Sequence, residues 1–290
     1  MHKFLDPTDI RRLKNYEFGA KAIVEGYLSG RHRSHQRGSS IEFHEFRQYV
    51  PGDDLARVDW RVFARNDKLF LRTFEQETNL ECHIFVDCSA SMGFPENSAR
   101  LSKLEYASFF AAALSWWVIS KNDRVSLTLF DQGIRKFLPP SSTRKHLNDL
   151  LNTLETNQPG SNTSITETLI RAQPLLKRKG TLVILSDFFT DPAALFRALN
   201  PYIHRGFRIH LFHILDPSEL LLDDRGLSRF VDMESADQLT IHPHSLREAW
   251  NLEMLSHTRA LRSLAASRHA DYALSSTVNS YFALFDRLRA

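Results

Sequence analysis

The chain has 290 residues, of which 42% are hydrophobic and 24% charged, and its net charge at neutral pH is only +3. This composition suffices for a large hydrophobic core and excludes a disordered chain, and the small net charge gives no electrostatic case for a nucleic-acid partner. Because no stretch approaches ~20 uninterrupted apolar residues and the N-terminus lacks the apolar core of a signal peptide, we expect no membrane span and a cytoplasmic protein.

Residues 1–78 are expected to form an N-terminal helix and an extension packed on the main domain. Asp6-Pro7 is a typical helix start, and apolar residues follow it at nearly helical spacing as far as Tyr27. A basic, turn-forming linker is predicted at 31–40. After it, residues 42–50 and 69–75 are expected to be extended, with a short helix near 54–63.

From residue 81 the pattern alternates between strand and helix, which predicts parallel pairing with right-handed crossovers. The fold class is therefore α/β, a Rossmann-like, mostly parallel sheet with helices on both faces, and its main domain spans residues 79–215. The predicted strands are 81–86, 124–130, 134–138, 181–186 and 207–215, and the predicted helices are 100–120, 142–155, 165–177 and one that opens at Asp191-Pro192.

Residues 216–290 are less regular and are expected to be an α+β extension of the same domain. Residues 227–233 and 238–241 are predicted as strands, and 246–267 and 278–288 as helices. The two cysteines, Cys82 and Cys88, flank one predicted strand and lie about 20 Å apart on it, too far to pair. A reduced, cytosolic interior is therefore expected.

A candidate metal site begins where the apolar run Ile84-Phe85-Val86 stops. Asp87, Ser89 and Ser91 follow at alternate positions and offer only oxygen ligands, which Mg²⁺ prefers over the imidazole and thiolate metals. Alone, this segment is equally compatible with a strand-end turn, because Asp and Ser often cap the chain that follows.

Two further segments supply the missing ligands. A second apolar run, 181–185, ends on the polar pair Ser186-Asp187, so both aspartates would lie at the carboxyl ends of buried parallel strands, where α/β sheets bind ligands. Between them, residues 159–165 form a turn-rich loop that leads into a helix, and Thr163 or Ser164 can present a hydroxyl there.

The order Asp87, Ser89, Ser91, Thr163, Asp187 resembles the metal-ion-dependent adhesion site (MIDAS) of von Willebrand factor A domains. The upstream stretch 42–54, followed by Val58-Asp59-Trp60 and Ala64-Arg65, is similar to the domain-of-unknown-function family 58 (DUF58), whose members carry an A-like domain and are often associated with MoxR-type AAA+ ATPases. The family loop usually reads Gly-Gly-Thr-Asp. Gly160-Ser-Asn-Thr-Ser164 departs from it here and leaves the choice between Thr163 and Ser164 open.

The resemblance implies that Ser89, Ser91 and Thr163 hold Mg²⁺, or Mn²⁺ or Ca²⁺, while Asp87 and Asp187 bind the ion or its waters. An Asp or Glu carboxylate of a protein partner would complete the coordination. The expected function is a metal-dependent protein-interaction module and adaptor for a MoxR-like AAA+ ATPase. The alternatives are a Mg²⁺-dependent hydrolase or phosphatase, and an assembly protein with a vestigial metal site.

The other candidate residues give weaker evidence of a functional site. A second cluster is predicted to be structural, with arginine–aspartate pairs covered by aromatic side chains; its members are Arg47, Tyr49, Asp53, Asp59, Trp60 and Arg65. His210 and His213 would face opposite sides of a strand, and His242-Pro243-His244 is too constrained for a zinc pair. An aspartyl-phosphate enzyme needs a second aspartate where Ser89 stands, so no enzymatic activity is expected.

Overall fold

The computed structural model describes residues 15–32, 46–48, 70–72, 80–95, 100–160, 162–220, 228–231, 238–241 and 243–289. They fall into two compact units, one made of the residues up to Gly30 together with those from Leu80 onward, the other lying within Arg31–Asn79. Helix α1, Tyr16–His32, belongs to the first unit as far as Gly30. The second contains one antiparallel pair, β1 (Phe46–Gln48) with β2 (Phe70–Arg72), inside the two segments predicted to be extended.

The main unit is built on a six-stranded sheet, and the predicted α/β class with mostly parallel strands is confirmed. Its order is β10-β7-β6-β3-β4-β5, and every neighbouring pair is parallel except β4 with β5. The strands are β3 (Glu81–Asp87), β4 (Arg124–Phe130), β5 (Ile134–Ser141), β6 (Thr181–Ser186), β7 (Arg208–Leu215) and β10 (Asp271–Ser276). A separate antiparallel pair consists of β8 (Ser228–Val231) and β9 (Gln238–Ile241).

Helices cover both faces of the sheet, each over its own apolar cluster. One face packs against α1, α2 (Lys103–Ser120), α3 (Arg144–Glu155) and α8 (Phe282–Arg289); the other packs against α4 (Ile165–Ala172), α5 (Pro192–His204) and α7 (Pro243–Ser267). A four-residue helix, α6 (Pro217–Leu220), follows β7. Helix α2 is predominantly apolar and largely buried.

Several predicted boundaries shift for identifiable reasons. Helix α4 ends at Ala172 instead of 177, since Pro174 cannot continue it. Arg31 and His32, predicted as linker, belong to the end of α1. Asp191 caps α5 as predicted, accepting hydrogen bonds from the amides of Ala193 and Ala194. The predicted start of the first helix at Asp6 lies outside the described residues.

The main omission of the sequence analysis is β10. It pairs in parallel with β7 from Asp271 to Ser276 and forms one edge of the main sheet. Its sequence, Asp-Tyr-Ala-Leu-Ser-Ser, has neither an alternating nor a continuous apolar pattern, so pairing with β7 decides its conformation. The predicted C-terminal helices are present as α7 and α8.

Gly180 allows β6 to start beside β3, and its replacement should destabilise the sheet. A Cβ atom at Gly180 would overlap the carbonyl oxygen of Glu81 and lie 2.9 Å from its carbonyl carbon. We therefore expect Gly180→Ala to lower the free energy of unfolding by about 1–3 kcal/mol in chemical denaturation. Gly133→Ala is the matched control, since its Cβ would meet only Arg171 at 3.5 Å. Equal stability of the two variants would contradict this account.

Candidate metal centre

The two aspartates predicted to share a site lie at the same edge of the sheet. Strands β3 and β6 run parallel as direct neighbours, with Val86 opposite Leu185, so their carboxyl ends meet. Asp87 ends β3, and Asp187 directly follows β6. A hydrogen bond joins the two strand ends, in which the hydroxyl of Ser186 donates to Oδ2 of Asp87 at 2.6 Å.

Asp87 is fully buried and organises the hydroxyl groups around it. Its Oδ1 accepts the backbone amide of Ser89 at 2.9 Å, and its Oδ2 accepts the hydroxyl of Thr163 at 3.2 Å. The hydroxyl oxygens of Ser89 and Ser91 lie 3.1 Å apart. Together with Asp187, the five residues singled out by the sequence therefore converge at one edge of the sheet.

The loop that carries Thr163 is held against the end of β3 by close backbone contacts. The amide of Gly160 donates to the carbonyl of Cys88 at 2.6 Å, and that of Ser164 donates to the carbonyl of Asp131 at 2.8 Å. A Cβ atom at Gly160 would overlap Oδ2 of Asp131 and lie 3.2 Å from the Cys88 carbonyl, so only glycine fits here without displacement. Of the two candidates left open by the sequence, it is Thr163 whose hydroxyl contacts Asp87.

A buried lysine that the sequence analysis did not single out also belongs to this centre. Lys103 is fully buried, and its ammonium group donates to Oδ2 of Asp187 at 2.8 Å and to Oε1 of Glu219 at 2.6 Å. Ser102 and Glu105 form a capping box that fixes Lys103 as the first residue of α2. The Ser-x-x-Glu signature predicts the start of this helix but not the burial of the lysine.

The chain turns sharply after Asp187. Phe188 is buried and adopts a left-handed backbone with φ of 47°, which is rare for a residue with a large side chain. Its amide donates to the Ser186 hydroxyl at 3.0 Å, and its carbonyl contacts Nε2 of His257 at 2.9 Å. These contacts hold a strained conformation in place, and such conformations concentrate at functional sites.

The charges of the centre are unevenly compensated. Burial, followed by the negative charge of Asp187, raises the pKa of Asp87 to about 6. Burial alone would lower the pKa of Lys103, but the carboxylates of Asp187 and Glu219 outweigh it and raise that pKa above its ordinary value. The lysine is thus a charged ammonium that neutralises one side of Asp187.

The donor set fits a hard divalent cation. The side chains gathered at this edge offer carboxylate and hydroxyl oxygens. Within the part of the chain that the structure describes, no group of three or more His, Cys, Asp or Glu side chains is placed to hold a metal. Oδ1 of Asp187 is buried and has no hydrogen-bond donor among the described residues. A cation or its bound water would satisfy such an oxygen, which otherwise carries a desolvation cost.

The polar edge continues beyond the five residues. Asp216, directly after β7, is buried and accepts hydrogen bonds from the amide and hydroxyl of Ser218 and, at 3.3 Å, from the hydroxyl of Thr277. The guanidinium of Arg100 lies 3.3 Å from its Oδ1. Here a side-chain cation compensates the aspartate.

The remaining sequence candidates have separate outcomes. His210 and His213 face opposite sides of β7, as predicted, but both are buried. Nε2 of each ring has no hydrogen-bond partner among the described residues. Cys82 and Cys88 are both free, as predicted. Backbone alone is described for Arg47, and the rest of its predicted cluster (Tyr49, Asp53, Asp59, Trp60, Arg65) and His242 lie outside the described residues.

The sequence profile of the family described as "Protein of unknown function DUF58" matches residues 45–260, well over half of the chain. The chain belongs to the DUF58 family. The family resemblance inferred from the motifs is therefore confirmed. Similar proteins include the uncharacterized proteins Mb1516 of Mycobacterium bovis and Rv1480 of Mycobacterium tuberculosis, each 30% identical over 234 residues that cover 79% of this DUF58 chain and 72% of the relative.

Solved structures similar to this DUF58 chain include BatB from Bacteroides thetaiotaomicron, at 16% identity and a TM-score of 0.49, covering 73% of this chain and 100% of that one. The SpRpn10 VWA domain is 12% identical to this chain, with a TM-score of 0.42. The match covers 72% of this chain and 93% of that one. The six-stranded, mostly parallel sheet with helices on both faces is of the predicted α/β class. None of the helices in the described residues is both long and apolar enough to cross a membrane.

Proposed function

We propose that this DUF58 protein is a metal-dependent protein-interaction module. The observation that carries the proposal is that Asp87, Ser89, Ser91, Thr163 and Asp187 lie together at one edge of the sheet, with one buried oxygen of Asp187 that has no donor among the described residues. Mg²⁺ is the expected ion, and Mn²⁺ or Ca²⁺ are the alternatives that oxygen ligands also accept.

Each side chain has a distinct part in this proposal. The three hydroxyl oxygens would hold the ion as neutral ligands, while Asp87 keeps two of those residues in place through its bonds to Ser89 and Thr163. Because Oδ2 of Asp187 is bonded to Lys103, Asp187 has only its Oδ1 to offer the ion or its waters. The ion would keep an open coordination position, which an Asp or Glu carboxylate of a protein partner would fill.

A MoxR-like AAA+ ATPase is the proposed partner, on the strength of the family resemblance. The expected outcome is co-purification of such an ATPase with this protein in Mg²⁺ and its release by EDTA. The expectation that the protein is not an enzyme stays a prediction, and a phosphatase assay with Mg²⁺ checks it. Formation of large assemblies without any effect of metal would favour the alternative of an assembly protein with a vestigial site.

Asp87→Asn should abolish metal binding. In the wild-type protein, Mg²⁺ at about 100 times its dissociation constant should raise the free energy of unfolding by about 2.7 kcal/mol, because the ion binds only the folded state. Asp87→Asn removes the charge that anchors the hydroxyl cluster and should lose this gain. Isothermal titration with Mg²⁺ and Mn²⁺, and chemical denaturation with and without EDTA, measure both quantities.

Asp149→Asn is the matched control, since Asp149 is exposed on α3. It should bind metal like the wild type. Unchanged metal affinity in Asp87→Asn would show that the site is assigned to the wrong residues. Absence of any metal effect in the wild type would contradict the proposed function itself.

A further inference from the structure

A pocket of roughly 390 Å³ opens beside the candidate metal centre. One wall comes from the loop that follows Asp187, and the other from one face of α7. The lining residues are Phe189, Thr190 and Asp191 on the loop, and Trp250, Glu253, Met254 and His257 on the helix. All of them belong to the main unit.

A peptide segment of a partner that is bound at the metal centre can also reach the pocket. Nζ of Lys103 is 2.8 Å from Oδ2 of Asp187 and 5.2 Å from the centroid of the Phe189 ring, so that centroid is at most 8.0 Å from the carboxylate oxygen. In an extended peptide, side chains two positions apart point the same way and are separated by roughly 6.6 Å. One short extended segment can therefore place one side chain at the metal and another in the pocket.

The chemistry of the pocket favours a cation with an aliphatic stem. Phe189 is 41% exposed, and Trp250 and Met254 add to a mostly apolar wall. Lysine and arginine pack their methylene groups on such surfaces and their charged ends on aromatic faces.

Glu253 gives the pocket its charge preference. It is exposed and forms no ion pair with any residue that the structure describes, so its carboxylate is available to a visiting cation. The carboxylate of Asp191, in contrast, is already engaged by the first amides of α5 and lies 3.6 Å from Arg197. Lys103 does not oppose a second cation at Phe189, since Asp187 and Glu219 neutralise it.

We propose that the partner segment carries a lysine or arginine two positions from the acidic residue that reaches the metal, and that this basic side chain enters the pocket between Phe189 and Glu253. The inference rests on the proposed function and adds to it the chemical class of the partner: an acid and a base close together on one extended segment.

Selection from a random heptapeptide library displayed on phage tests this pairing. The full-length protein is immobilised in Mg²⁺, and bound phage are eluted with EDTA. The expected sequences hold Asp or Glu with Lys or Arg two positions away. A synthetic peptide of the most enriched sequence should bind Glu253→Lys about tenfold more weakly than wild type, the usual scale of a cation–π contact plus an exposed ion pair.

Glu248→Lys is the matched control, because it makes the same charge change on an exposed position of α7 that does not line the pocket. It should bind the peptide like wild type, and Glu253→Lys should keep its affinity for Mn²⁺ alone. Acidic peptides without a basic residue, or with an apolar residue in its place, would overturn the inference and leave the proposed function standing. If EDTA releases no peptide, or if the wild type does not bind Mn²⁺, both the inference and the proposed function are wrong.

Discussion

Replacing Lys103 with methionine should lower the free energy of unfolding in EDTA by about 3–5 kcal/mol, because it leaves the carboxylates of Asp187 and Glu219 without their buried counter-ion. Methionine keeps the length and apolar stem of the side chain, so the loss reports on charge and not on a cavity. Chemical denaturation monitored by circular dichroism measures it.

Metal should recover part of this loss. If a divalent cation binds beside Asp187, it can compensate the carboxylate that the lysine has left, so Mg²⁺ should stabilise Lys103→Met more than it stabilises the wild type. Lys145→Met is the control, since Lys145 is exposed on α3 and should change stability by less than about 0.5 kcal/mol. A Lys103→Met protein as stable as this control would mean that the buried ion pairs contribute nothing to the fold.

The protein should lose stability steeply in mild acid because of three buried histidines. Burial is the main cause that lowers the pKa of His83 and of His210 to about 4 and that of His213 to about 3, from an ordinary 6.5. Above pH 6.5 each ring is neutral in both the folded and the unfolded chain. Between pH 6.5 and about 4 only the unfolded chain takes up the proton, so each ring lowers the free energy of unfolding by about 1.4 kcal/mol per pH unit.

Asp87 acts in the opposite direction, because its raised pKa of about 6 means that the folded state takes up this proton first. Burial also raises the pKa of Glu219 and of Asp123, so these two carboxyls offset the histidines in the same way. His83 gives the cleanest test, because it lies on β3 far from the carboxyl edge and bonds to the Ser126 hydroxyl at 2.7 Å.

Between pH 6.5 and 4.5 the free energy of unfolding should fall with decreasing pH more steeply in wild type than in His83→Asn, by about 1.4 kcal/mol per pH unit. His269→Asn, the same substitution at an exposed histidine, is the control. Parallel pH profiles for His83→Asn and wild type would show that His83 carries its proton in the folded state.

The strands and their polar ends could be predicted because the pattern is local. Apolar runs that stop at Asp87 and at Ser186-Asp187 identify buried parallel strands, and parallel neighbours bring their carboxyl ends together. The placement of Thr163 needed coordinates, because it depends on how closely Gly160 approaches the end of β3.

The charges around the centre could not be predicted from pattern. A lysine at the first turn of a helix ordinarily lies on the surface, and burial of Lys103 depends on Asp187 and Glu219, which are distant in sequence. Strand β10 was missed for a similar reason, since its conformation follows from pairing with β7 and not from its own composition.

Strand β10 and helix α8 lie beyond the residues that the family profile matches, which matters for the design of truncated proteins. The family profile stops at residue 260, yet Tyr281 and Phe285, which close the apolar layer over α2, come some twenty residues later. A chain that ended at residue 260 would expose the edge of β7 and one side of the apolar helix α2. Truncated expression clones designed on family boundaries should therefore aggregate, whereas those that run through Arg289 should not.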